Sequence, residues 1–133
     1  MINYTLFGYL WDTALKADSR NDFVAKWSTA PTDVADAFTL ESIYTMAYGG
    51  CFEIRSVMGA SQRAFAEMYE IPRRSIEDWE SCRHLPSGYT TKMLGYAVLS
   101  DVITLRSEGF VERQIEEAVA TLNAADAQRP QHS

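Results

Sequence analysis

A chain of 133 residues, 47% hydrophobic and 23% charged, has the length and composition of one soluble globular domain. Such a chain buries a core without disulfide or metal staples, which excludes the disordered and low-complexity classes. Its net charge of −6 is unevenly spread: residues 1–52 and 93–133 each hold three cations against six anions, whereas residues 53–92 hold six of each, so the acid lies outside the centre.

In chain order, the aromatic-rich stretch over residues 4–11, continued by Ala14 and Leu15, has the spacing of a helix with one apolar face. Asn3, Thr5 and Asp12 interrupt its apolar character, and it falls short of the ~20-residue span that a bilayer needs. No secretory leader or membrane helix is therefore expected, Cys51 and Cys82 lack a C-x-x-C spacing, and the compartment reads as cytoplasmic. Asp18, Ser19, Arg20 and Asn21 end the first pattern. Ser19 followed by Asp22 looks like a cap for a second helix presenting Phe23, Val24 and Trp27 and stopping before Pro31. Thr32 can cap a short turn through Val34, Ala35 and Phe38, after which Thr39 opens a helix carrying Leu40, Ile43, Tyr44 and Ala47.

Gly49 and Gly50 then break the chain, since glycine takes positive φ without steric cost. They set the boundary between a helical N-terminal extension, residues 1–50, and a central unit, residues 51–105. Farther on, Phe110, Val111, Ile115, Ala118, Val119 and Leu122 oppose Glu112, Arg113, Glu116 and Glu117 in an amphipathic helix within residues 106–127. Periodicity lapses from Ala124, and residues 128–133 read as a disordered tail. Strand alternation is weak throughout, so the expected fold class is all-α.

Within the central unit, Ser61 is a good N-cap for a short helix with Phe65, Ala66 and Tyr69 inward. Pro72, whose missing N–H would have no partner in a first helical turn, opens a second helix through Glu80 with Ile76 and Trp79 inward. The series Ile54-Arg55, Gly59-Ala60-Ser61-Gln62, Phe65-Ala66, Ile71-Pro72-Arg73-Arg74-Ser75-Ile76, Trp79-Glu80, Pro86 and Tyr89 resembles, in order and spacing, the Cro/CI-like helix-turn-helix family of regulators. That family is also called the xenobiotic-response-element family, and the likeness covers about 45 of the 133 residues. The resemblance implies a lambda-repressor-like bundle, a five-helix unit in which the helix at about 72–81 enters the major groove and the Ser61 helix lies across the phosphates.

The same resemblance implies DNA contacts from Ser61, Gln62, Arg63, Arg73, Arg74, Ser75, Asp78, Arg83, Tyr89 and Lys92. An arginine fork from Arg73 or Arg74 can bond guanine O6 and N7 together, worth ~1–3 kcal/mol of discrimination, or can hold phosphate instead. Gln62 would meet the backbone beside the free amides of its helix, and Tyr89 and Lys92 would meet phosphate from the next helix. A carboxylate such as Asp78 or Glu77 repels phosphate, although it can accept from cytosine N4. Ile54, Phe65, Ala66, Ile76, Trp79 and Leu94 are core by spacing, and Glu80 is placed to pair with Arg55 or to cap a helix. Two positions depart from the family pattern: Glu70 and Cys82 stand where glycine is usual, at a cost of roughly 1–2 kcal/mol if the left-handed conformation is kept.

Only His84 and His132 are present, without H-E-x-x-H, a Walker A loop or G-x-S-x-G, so no enzyme activity, cofactor or metal is expected. Cys82, beside Arg83 and His84, reads as a redox switch or a small loop residue. The function expected is a sequence-specific transcriptional regulator acting as a homodimer on two half-sites of double-stranded DNA, about one helical turn apart. Either the C-terminal helix or the N-terminal layer would supply the dimer surface, or both would pack on their own central unit. Two alternatives stand beside it. One is the antitoxin of a toxin–antitoxin pair, with the N-terminal layer holding the toxin. The other is a helix-turn-helix scaffold for protein–protein interaction without DNA binding, which the net charge and the two missing glycines favour.

Overall fold

Local capping chemistry starts most of the helices. The computed structural model describes residues 2–28, 36–107 and 112–127, and among them every regular element is a helix. The turn at Thr32 through Val34 and Ala35, Phe110 and Val111, and the tail 128–133 lie outside the described residues.

Helix α1 (Tyr4–Lys16) begins where Asn3 Oδ1 accepts the Leu6 amide at 2.8 Å, and it buries Phe7, Leu10, Trp11 and Ala14 along one stripe. Leu15, expected on that stripe, is 46% exposed. Helix α2 (Arg20–Ser28) follows the expected cap, with Ser19 Oγ accepting the Asp22 amide at 3.1 Å and Phe23 buried. Helix α3 (Ala37–Gly49) starts earlier than Thr39, because the Asp36 carboxylate accepts the Thr39 amide at 2.8 Å and so makes Asp36 the cap. Its Leu40, Ile43 and Met46 are fully buried.

Gly50, at φ 93° and ψ −150°, is at once the C-cap of α3 and the N-cap of α4 (Cys51–Met58), so the two helices meet at one residue with no linker. Gly59, at φ 80°, ends α4. There follow α5 (Gln62–Tyr69), α6 (Arg73–Glu80), α7 (Gly88–Ser107) and α8 (Glu112–Ala127). Ser87 Oγ accepts the Thr90 amide at 3.0 Å to open α7. Residues 51–105 therefore hold four helices, α4 to α6 and most of α7. Helix α8 persists to Ala127 although periodicity fails from Ala124, because alanine sustains a helix without an apolar stripe.

Helix α3 is the hub, packing on α1, α2, α4 and α7, while α4 also packs on α7 and α6, α5 on α6 and α8, and α1 on α7. One apolar cluster runs from Phe7, Leu10 and Trp11 through Leu40, Ile43 and Met46 to Ile54, Phe65, Ile76, Val98 and Leu99. Where α1 crosses α7 the approach is close: a Cβ on Gly95 would stand 2.9 Å from Trp11 Cζ3. Tyr4, Phe7 and Tyr96 form an aromatic set beside it, and Tyr96 Oη donates to the Ile2 carbonyl at 3.1 Å.

Candidate nucleic-acid interface

Helices α5 and α6 follow one another across a turn at residues 70–72 and pack on each other. Ser61 caps α5, its Oγ accepting the Ala64 amide at 3.1 Å. Glu70 closes α5 in the left-handed region at φ 54°, and the Ile71 amide donates to the Ala66 carbonyl at 3.0 Å, the signature of a tight helix end. Pro72 is the N-cap of α6, its carbonyl accepting from Ser75 at 2.9 Å. Cys82 lies at φ 63° after α6, so both positions where glycine is usual keep the left-handed backbone.

The inner side of α6 is pinned twice. Ile76 is fully buried, with Trp79 half-buried beside it. Glu80 accepts from Arg55 Nε at 2.7 Å and Nη2 at 2.8 Å and from Gln62 Nε2 at 3.1 Å, while Arg55 Nη1 donates to the Ala60 carbonyl at 2.8 Å. The bond to Glu80 pushes the Arg55 guanidinium further up from its already high pKa, so the cationic half of this clamp between α4 and α6 stays charged. Pairing of Glu80 with Arg55 is what its placement suggested.

The ten residues given DNA roles by the resemblance fall into three groups. On α6 and the loop after it, Arg73 Nε pairs with Glu77 at 3.2 Å on the same helix, and Ser75 is half-buried. Arg74 is exposed with no partner among the described residues. Asp78 faces Arg83 at 3.6 Å and His84 at 3.4 Å, and its carbonyl accepts the amides of both. On the first turn of α5, Gln62 is spent on Glu80, whereas Ser61 and Arg63 both meet Asp126 of α8. On the first turn of α7, Tyr89 is exposed and Lys92 Nζ bonds Asp12 of α1 at 3.0 Å.

Arg63 and Arg73 do come together, lining one open groove with Ala66, Glu67, Glu70, Ile71 and Pro72. The partners that sequence reasoning missed are Asp126 and Asn123 on α8 and Asp12 on α1. Each is an ordinary surface polar residue at generic helical spacing, and only the packing of distant helices gives it a role.

Among the described residues no cluster of three or more His, Cys, Asp or Glu side chains is arranged to hold a metal, and no helix is long and apolar enough to cross a membrane. No family model, curated protein or solved structure matches this chain.

Proposed function

We propose that this chain is a DNA-binding transcriptional regulator of the cytoplasm that sets the first turn of α6 into the major groove, as a homodimer on two half-sites. The observation that carries the reading is the polarity of α6. Its inner side is fixed by buried Ile76 and the Arg55–Glu80 clamp, while Arg74 stands exposed at its leading end with Arg73 beside it. A short helix held from behind, with guanidinium groups on its leading turn, is the arrangement by which an arginine fork reads guanine.

The scaffold reading has its own support, because Ser61 and Arg63 are engaged by α8 and Lys92 by α1. Salt separates the two. Retention of genomic duplex fragments should weaken by orders of magnitude between ~50 and ~200 mM salt if several phosphates are neutralised. Arg74→Ala should cost ~1–3 kcal/mol and relax preference at one base pair. No retention at the lower salt would sink the DNA reading and leave the scaffold.

A further inference from the structure

The leading end of α5 is gripped by the last helix of the same chain. Asn123 and Asp126 lie one turn apart on α8. Asn123 Oδ1 accepts the Ser61 backbone N–H at 2.6 Å, and its amide donates to the Gly59 carbonyl at 3.4 Å. Asp126 Oδ2 accepts the Ser61 hydroxyl at 3.0 Å, and Oδ1 pairs with Arg63 Nε at 2.7 Å. A backbone amide at a helix start, a hydroxyl and a guanidinium form the donor set that grips a phosphate oxygen. Here a side-chain amide accepts from the first, and a carboxylate accepts from the second and ion-pairs with the third.

Val119 is the buried hydrophobic residue of α8 among the described side chains, whereas Ala120, Thr121, Leu122, Ala124 and Ala125 are exposed. Helix α8 also carries Glu112, Glu116, Glu117 and Asp126 against Arg113, an excess of the charge that phosphate repels.

We propose that α8 is an autoinhibitory latch: Asp126 occupies, on the first turn of α5, the place of a DNA backbone phosphate, so docking on DNA requires α8 to leave. The inference rests on the DNA-binding reading of α5 and α6. It explains how Ser61 and Arg63 can be engaged within the chain and still serve DNA, and it makes whatever stabilises α8 in place a repressor of binding.

The test compares Asp126→Ala with Glu116→Ala, each removing one negative charge from α8, the first alone breaking the contacts to Ser61 and Arg63. Asn123→Ala breaks the neighbouring contacts without changing charge. With a mixed-sequence DNA duplex as probe at low salt, Asp126→Ala should bind about fivefold or more tighter than Glu116→Ala, and Asn123→Ala tighter than the unaltered protein, within the usual span of coupling energies. Adding the duplex to the unaltered protein should speed amide exchange across residues 112–127. Equal affinities for Asp126→Ala and Glu116→Ala, with exchange in α8 unchanged by DNA, overturn the latch and leave the DNA reading standing. Failure of every variant to bind overturns the DNA reading and autoinhibition together.

Discussion

Among the described residues, two non-glycine positions hold backbone that their side chains disfavour. Glu70 and Cys82 lie at φ 54° and 63°, where Cβ crowds the following carbonyl. Glu70 is exposed at the end of α5, so replacing it by glycine removes strain and little else. Glu70→Gly should stabilise the fold by about 1 kcal/mol, the relief of ~1–2 kcal/mol being partly offset by the greater freedom of glycine in the unfolded chain. Urea unfolding at fixed pH reads it, and a loss of stability would mean that the glutamate contributes a contact worth more than the strain.

Cys51 gives a pH dependence with a definite sign. Burial, followed by the nearby Glu80, pushes its thiol from 9.0 up to about 11. Between those values the folded chain keeps a proton that the unfolded chain has lost, so the contribution of this group is complete below pH 9 and falls as pH rises toward 11. Tyr69 is also held up by burial and by its bond to Asp101, and it acts in the same direction at higher pH. The urea midpoint should fall through this alkaline range, and Cys51→Ala should make the fall shallower. An unchanged slope in that variant would remove Cys51 from the account.

At the scale of elements, what could be read in the sequence was what neighbours in the chain decide. Ser19, Ser61 and Pro72 open helices through bonds that reach only three or four residues, and the inward placement of Phe65 and Ile76 follows from helical periodicity alone. Asp36 displaced Thr39 as a cap because two good candidates stood within one turn of each other and the competition between them is settled by geometry. The engagement of Ser61 by Asp126 spans most of the central unit and part of the last helix, and no local pattern encodes it. Thus the two short helices α5 and α6 were legible, while the engagement of the first turn of α5 by α8 was not.

Gly95 lies on the illegible side too. In the middle of α7 it looks like a helix weakness that alanine would repair by ~0.5–1 kcal/mol. The contact with Trp11, a residue only 5% exposed and packed in the core, reverses the sign. Gly95→Ala should destabilise by about 1–3 kcal/mol, the usual penalty for overpacking. A higher melting temperature for this variant would show that α1 and α7 separate cheaply.

Over the whole molecule, the glycine pair at residues 49 and 50 marks a sharp bend within a continuous core. Leu40, Ile43 and Met46 are fully buried on the helix that packs against α4 and α7. A chain of residues 51–133 would leave the apolar sides of those helices facing water, a loss of roughly 1.5–3 kcal/mol for each large side chain uncovered. Since domains have only ~5–15 kcal/mol in hand, that shortened chain should show no cooperative thermal transition. A sharp transition close to that of the full chain would establish the central unit as independent.

The three indoles are distributed so that each serves a different part of this body: Trp11 is sealed against Gly95, Trp27 is half-buried edge-on to Tyr9, and Trp79 rides on α6. The molecule thus carries its own optical probes. A variant keeping Trp79 as its one indole would report through ultraviolet emission whether α6 shifts when a duplex arrives, without any attached dye. Emission from Trp11, retained alone, would stay silent unless the contact between the first helix and the longest one opened.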